Sequence, residues 1–372
     1  MRIDRLQAEH FRNLDTLEIS PCPGVNIIYG DNAQGKTNLL EGLWLFCGAR
    51  SFRGAHDREM VQFGQEYAHL ALDFFGQDRP QSAKLVLGQR RGVTLNGVSQ
   101  ESASKLAGTL CMVVFSPDHL SLVKDGPAQR RRLMDVAIRQ LLPKYDRILS
   151  DYNRILQQRN ALLKDLFYHE ELRDTLEIWD QYLAQMGAVI VQARLRYVQR
   201  LQEQLGAILQ GLSAGREQLD LAYTGAVPFP EGISRGELQQ LLLTELRRAL
   251  PQDLRGQSTS VGPHRDDLEL SINGKSVRKY GSQGQQRSSV LALKLAECAI
   301  LKQVYGEEPV VLLDDVMSEL DSSRRDYLLN HMQGRQVFLT CCDPGYFRTI
   351  RQGRSFHLQN GAILQVQDFG PV

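Results

Sequence analysis

The period of the apolar positions changes twice along this chain. Over the first 120 or so residues the apolar runs are short and are broken by Gly and Pro. Val25–Tyr29, Tyr67–Phe75, Leu85–Leu95 and Cys111–Phe115 read as strands, some of them hairpin-linked. From about Pro127 to Leu209 the spacing turns helical. Tyr145, Ile148, Leu149, Tyr152, Ile155 and Leu156 recur at three- and four-residue steps, and Leu176, Trp179, Leu183, Met186, Ile190 and Tyr197 do so again beyond a polar break near His169. Two long helices packed back to back would bury these stripes, so they are assigned to packing and not to a cofactor. Ala226–Gly256 is punctuated by Pro and Gly, with one helix near Glu237–Leu250. Strand character then returns at Leu268–Ile272. A helix over Gln285–Tyr305, a strand at Val310–Leu313, a helix near Ser322–Met332 and a strand at Gln336–Thr340 follow. Asn360-Gly361 between two short runs is a hairpin turn. The pattern is α/β, with a helical stretch set inside strand-rich sequence.

Val25–Tyr29 runs directly into a glycine loop made of Gly30, Asp31, Asn32, Ala33, Gln34, Gly35, Lys36 and Thr37. This fits G-x-x-x-x-G-K-[ST] in full, with a strand before it and a helix pattern (Thr37–Phe46) after it. The glycines let backbone N–H groups turn inward on phosphate oxygens, and the helix N-terminus adds partial positive charge. Lys36 is expected to reach the β- and γ-phosphates of ATP, and the Thr37 hydroxyl to sit on Mg²⁺. The strand Val310–Leu313 ends in Asp314 and Asp315, at the strand end where ligands bind in open α/β sheets. Asp314 is the candidate metal residue. Asp315 is the candidate to orient or deprotonate the attacking water.

Composition narrows the class without naming a ligand. Hydrophobic content of 42% and charged content of 23% are those of a folded chain. A net charge of +1 provides no global attraction for nucleic acid, so any such contact must be local. The six cysteines show no C-x-x-C spacing, which argues against a zinc site and a disulfide framework. The N-terminus lacks the apolar core of a signal peptide, and no run approaches the ~18 apolar residues of a membrane span. A reduced, cytoplasmic protein without a membrane partner is expected.

A third motif decides the class. Gly281, Ser282, Gln283, Gly284 and Gln285 precede a helix and resemble the ABC-ATPase signature, with Ser282, Gly284 and Gln285 matching its core and Gln283 replacing a glycine. Ser318–Asp321 resembles the D-loop. In ABC enzymes the signature completes the ATP site of a second subunit, so the resemblance implies an ATP-dependent homodimer. The usual switch histidine is missing: the strand ends in Cys341, Cys342 and Asp343. Slow hydrolysis, a weak ATPase, is therefore expected.

The remaining blocks resemble the RecF family, on the SMC-like branch of these ATPases. The N-terminal run to Phe11, Arg12 and Asn13 is similar to the family's first strand, which implies that Arg12 and Asn13 lie near the nucleotide. Ser116-Pro117-Asp118 with Gly126-Pro127, Arg130 and Arg131 resembles a second block. Thr259 with Gly262-Pro263-His264-Arg265-Asp266 resembles a third, and Leu312 through Asp321 and Arg325 a fourth. Asp125 and Leu133 depart from the pattern. The Arg130–Arg132 cluster can grip phosphate or can simply be solvated. The resemblance implies an ABC-type head, with a strand-rich N-terminal part over 1–123, an inserted, mainly helical lobe or short arm over 124–256, and the rest of the head over 257–372. It also implies sequence-independent binding of DNA at single-strand gaps, action with RecR and RecO to help RecA load, and roles in replication, repair and the SOS response. The insert is too long for a transporter's ATPase subunit and too short for an SMC tether. A signature loop has no role in a P-loop kinase.

Overall fold

Val310–Leu313 and Met112–Phe115 carry no polar side chain and are buried along their whole length, as strands covered on both faces must be. In the computed structural model, which describes residues 1–370 except 167, 214, 227, 343–349 and 351, they are neighbours in a parallel sheet. The strands are β1 (Arg2–Phe11), β2 (Leu14–Ile19), β3 (Val25–Tyr29), β4 (Ala68–Gly76), β5 (Arg79–Leu87), β6 (Gly92–Leu95), β7 (Val98–Gln100), β8 (Met112–Phe115), β9 (Leu219–Thr224), β10 (Asp267–Ile272), β11 (Lys275–Ser276), β12 (Val310–Leu313), β13 (Val337–Cys341), β14 (Gly353–Gln359) and β15 (Ala362–Phe369). The helices are α1 (Lys36–Trp44), α2 (Pro117–Ser121), α3 (Pro127–Leu141), α4 (Tyr145–Asp165), α5 (Leu176–Ser213), α6 (Arg235–Gly256), α7 (Val277–Tyr280), α8 (Gln283–Tyr305) and α9 (Ser322–His331).

The chain divides into two units. The first comprises Met1–Ser121, Ala207–Arg216 and Arg287–Val372. It holds the parallel sheet, ordered β15-β14-β3-β13-β12-β8 with only β15 antiparallel, and a second, antiparallel sheet ordered β2-β1-β4-β5-β6-β7. β4 alternates buried and wetter positions, as expected of a sheet packed on one face. Helix α1 packs against β1 of one sheet and β13 of the other, which is why most of its residues are buried. Ala207–Arg216 belongs here because the Tyr327 hydroxyl donates to the Ile208 carbonyl at 2.9 Å and its ring lies against Gly211.

The second unit comprises Leu122–Gly206 and Glu217–Gln286. It contains α3, α4, most of α5, α6 and a small antiparallel sheet, β11-β10-β9. Residues 257–286, beyond the insert expected over 124–256, group with this unit. Six consecutive residues of β10 pair with β9, and Thr259 accepts from Arg159 of α4 at 2.9 Å. These bonds tie residues 257–286 to the second unit and not to the ATPase head.

Arg130 resolves one open reading. It is 3% exposed, makes a bidentate pair with Asp267 at 2.7 Å for each bond, and donates to the carbonyls of Leu122, Val123 and Asp125. Its charge is spent inside the unit. Arg131 donates to the Asp266 carbonyl at 2.8 Å, and Arg132 is exposed.

Candidate nucleotide site

The loop after β3 is built from backbone conformations that side chains resist. Gly30 has φ 150° and Gly35 φ 108°. A Cβ on Gly30 would lie 2.1 Å from the Leu358 carbonyl oxygen, and one on Gly35 would lie 2.6 Å from Asn13 Oδ1. Both positions therefore require glycine. The loop is braced from outside. The Gly361 amide donates to the Gln34 carbonyl at 3.0 Å, and the Asn360 amide to Gln34 Oε1 at 2.5 Å. The β14–β15 hairpin turn thus buttresses the loop.

Helix α1 begins at Lys36, directly after the loop, so its free N–H groups and positive end face the loop. Lys36 is 6% exposed, and its Nζ donates to the carbonyls of Gly30 at 2.7 Å and Asp31 at 2.8 Å. The two acids enter from β12. Asp314 is 5% exposed, and its Oδ1 accepts from the hydroxyls of Thr37 and Thr340, each at 2.9 Å. Burial pushes the Asp314 carboxyl above its ordinary range, and these two hydroxyls pull it back. Asp315 follows in the left-handed region at φ 53°; its amide donates to Thr340 Oγ1 at 2.9 Å and its carbonyl accepts from Ser318 at 2.8 Å.

These residues suit a nucleotide with a magnesium ion. The glycine cradle, Lys36 and the α1 N-terminus are donors for phosphate. Thr37 and Asp314 form the sparse oxygen set with which Mg²⁺ is held when phosphates complete its shell. No cluster of three or more His, Cys, Asp or Glu able to hold a metal occurs among the described residues.

Asn13 and Arg12 part ways. Asn13 Nδ2 donates to the Ala33 carbonyl at 3.3 Å, and Asn13 Oδ1 accepts from Asn38 of α1 at 2.8 Å, so Asn13 touches the loop. Arg12 pairs with the fully buried Glu41 of α1 at 3.0 and 3.1 Å and donates to the Glu59 carbonyl at 2.9 Å. Its side-chain hydrogen bonds go to the far half of α1 and to Glu59, not to residues 30–35. Glu41 also accepts from Ser51.

Ser282 and Gln285 form a reciprocal capping box at the start of α8. The Gln285 amide donates to Ser282 Oγ at 3.2 Å, and the Ser282 amide to Gln285 Oε1 at 2.9 Å. Gln285 Nε2 also donates to Glu217 at 3.0 Å. Helix α8 thus starts at Gln283, two residues before its apolar pattern does, and includes Gly284. In the D-loop, Asp321 caps α9 by accepting from the Arg324 amide at 3.0 Å. Cys342, at the switch position, is exposed and lies 3.1 Å from Asn32 Oδ1; Asp343 is outside the described residues. Thr340 was not marked by the sequence reading. Its only signal is a polar residue near the end of an otherwise apolar strand.

The family profile for the RecF/RecN/SMC N-terminal domain matches residues 2–363. The DNA replication and repair protein RecF of Agathobacter rectalis is 40% identical, over 99% of this chain and all of its own length. RecF of Heliobacterium modesticaldum is 42% identical, over 98% of this chain and 99% of its own. A solved structure of the recombination mediator protein RecF of the RecFOR pathway, as RecF-ATP, is similar with a TM-score of 0.90 and 35% identity, covering 99% of this chain and 98% of that one. The Smc head domain of Pyrococcus furiosus is similar in fold alone, with a TM-score of 0.56 and 16% identity.

Proposed function

The chain belongs to the RecF family of DNA replication and repair proteins, and from that premise we propose that it is an ATP-gated DNA-binding protein with weak ATPase activity that works at single-strand gaps. The observation that carries the reading is the convergence of Lys36, Thr37 and Asp314 on one glycine loop, from segments 277 residues apart. The loop amides and Lys36 would hold the phosphates, and Thr37 and Asp314 would hold a Mg²⁺ ion, which when bound would supply positive charge against the phosphate oxygens. Asp315 orients the attacking water and takes its proton. Ser282, at the capped start of α8, meets the γ-phosphate held by a second copy, so ATP joins two chains and hydrolysis to ADP and phosphate separates them. By family likeness the paired form works with RecR and RecO to help RecA load. No helix among the described residues is long and apolar enough to cross a membrane.

Asp315→Asn keeps the side chain's shape and loses its charge. It is expected to retain ATP binding and to lower turnover about 100-fold or more, the lower range for loss of a general base. Normal turnover in this variant would remove Asp315 from the role. Loss of ATP binding instead would exchange its role with that of Asp314.

Pro127–Asp165 holds nine Lys or Arg against four Asp or Glu, but Arg130 and Arg159 are buried and paired inward. The candidate DNA contacts are therefore the exposed Arg132 on α3 and Lys144, Arg147, Arg154 and Lys164 on or beside α4. Labelled DNA titrated across salt concentrations with ATP, with ADP and without nucleotide tests the gating. ATP is expected to tighten binding and steepen the dependence of log affinity on log salt, which changes by about −0.9 per phosphate contact on duplex. Ser282→Arg is expected to bind ATP as a single chain while losing both the pairing and the ATP-induced change. Equal affinities and slopes in all three states, or pairing retained by Ser282→Arg, would remove the gating reading.

A further inference from the structure

We propose that Thr340 is a positioning residue of the ATPase site, one hydroxyl holding the metal acid Asp314 and the backbone of Asp315 in fixed relation. The inference rests on the reading of Asp314 and Asp315 given above. Strands β12 and β13 pair in parallel with Leu313 opposite Leu339, so the next residues along each, Asp314 and Thr340, come side by side as the ladder between them ends. Thr340 is 1% exposed. Its Oγ1 donates to Asp314 Oδ1 and accepts from the Asp315 amide, both at 2.9 Å.

This geometry does two things. Asp314 Oδ1 is occupied by the hydroxyls of Thr37 and Thr340, which fixes the carboxylate plane and leaves Oδ2 in a set direction for a cation. The chain turns into the left-handed region at Asp315, where its amide leaves the sheet and donates to the Thr340 hydroxyl. Without that acceptor the Asp315 backbone, and with it the carboxylate proposed to orient the attacking water, loses its anchor. A partner that orients a metal-binding carboxylate in this way commonly controls metal affinity or activity by about 10–100-fold.

Thr340→Val keeps the β-branched shape and removes the hydroxyl, whereas Thr340→Ser keeps the hydroxyl. The full chain is assayed in two ways: Mg²⁺ dependence of ATP turnover, and Mn²⁺ binding in the presence of ATPγS followed by electron paramagnetic resonance. For Thr340→Val the metal concentration at half-saturation is expected to rise about tenfold in both assays, with turnover at saturating metal also about tenfold lower. Nucleotide affinity without metal is expected to match the parent, and Thr340→Ser is expected to behave as the parent throughout. A general packing defect would not raise the metal requirement while sparing metal-free nucleotide binding. Should Thr340→Val fail to fold, Thr340→Ala is read by the same measurements. Parent-like metal dependence in the hydroxyl-free variant overturns the proposal, as does a Thr340→Ser chain as impaired as Thr340→Val. A parent chain that binds nucleotide without any metal effect overturns the underlying assignment of Asp314 instead.

Discussion

Lys36→Ala is expected to reduce ATP turnover by about 100-fold or more, the scale on which one pre-organised donor to developing charge is lost. Lys36 is the one ammonium enclosed by the glycine loop among the described residues, and its Nζ is held between the Gly30 and Asp31 carbonyls at 2.7 and 2.8 Å. Its place inside the loop, and not on the rim, means that water cannot substitute for it without entering a cradle shaped by Gly30 and Gly35. The same contacts predict a second effect. Removing the ammonium takes a charged donor from two loop carbonyls, so the loop itself should loosen and ATP affinity should fall with turnover. Equilibrium binding of a fluorescent ATP analogue and steady-state phosphate release measure the two separately. A folded variant with parent affinity and parent turnover would exclude the loop as the ATP site.

Arg159→Met is expected to lower the stability of the second unit by about 3–5 kcal/mol, the usual consequence of breaking a buried ion pair from one side. Arg159 is fully buried in α4. Its Nε donates to Asp180 Oδ1 at 2.6 Å, and its Nη1 to Asp253 Oδ2 at 2.7 Å and Thr259 Oγ1 at 2.9 Å. It thereby joins α4, α5, α6 and the segment before β10. Methionine fills most of the volume and leaves two carboxylates without their cation. Burial already pushes the Asp180 carboxyl up, while Arg159 holds it down, so loss of Arg159 raises it further. A raised folded-state value means that the folded form takes up the proton more readily than the unfolded form. The deficit is therefore expected to shrink as pH falls and to be largest at neutral pH. Urea unfolding at two pH values reads both the size and the sign. A loss below about 1 kcal/mol, as for an exposed pair, would show that the network is not stabilising.

The strand, glycine turn and helix around Gly30–Thr37, and the two acids at the end of β12, were legible because each motif is local. Gly30–Thr37 needs only its own strand, loop and helix, and Asp314 needs only an apolar strand before it. The parallel strands were legible for the same reason, since Val310–Leu313 and Met112–Phe115 are too uniformly apolar to face water. What was missed depends on distant pairing. Strand β9 has six residues and few wholly buried positions, so its alternation is faint until β10 lies beside it. Arg130 looked like one of three equivalent cations because nothing local announces Asp267, 137 residues away. Arg12 and Asn13 are adjacent, yet a left-handed backbone at Arg12 (φ 57°) accompanies their separation, one toward Glu41 and the other toward the loop. Thr340 is an ordinary strand threonine until β12 supplies its two partners.

The interleaved strand order of the parallel sheet sets a timetable for biosynthesis. β3 and β8 are made early, but neither neighbours the other; β13 and β12 lie between them. While the first three hundred residues emerge from a ribosome, the glycine loop therefore follows a strand whose flanking partners do not yet exist, and the second unit can complete its own pairings first. Contacts of such long sequence separation form slowly, because the loop they close is large. A chain released before Val310 would carry the whole glycine loop and still lack Asp314, Thr340 and the three strands, β12, β13 and β14, that flank β3 and β8. The glycine loop, Asp314 and Thr340 thus come together only after Val310–Cys341 has been made and paired.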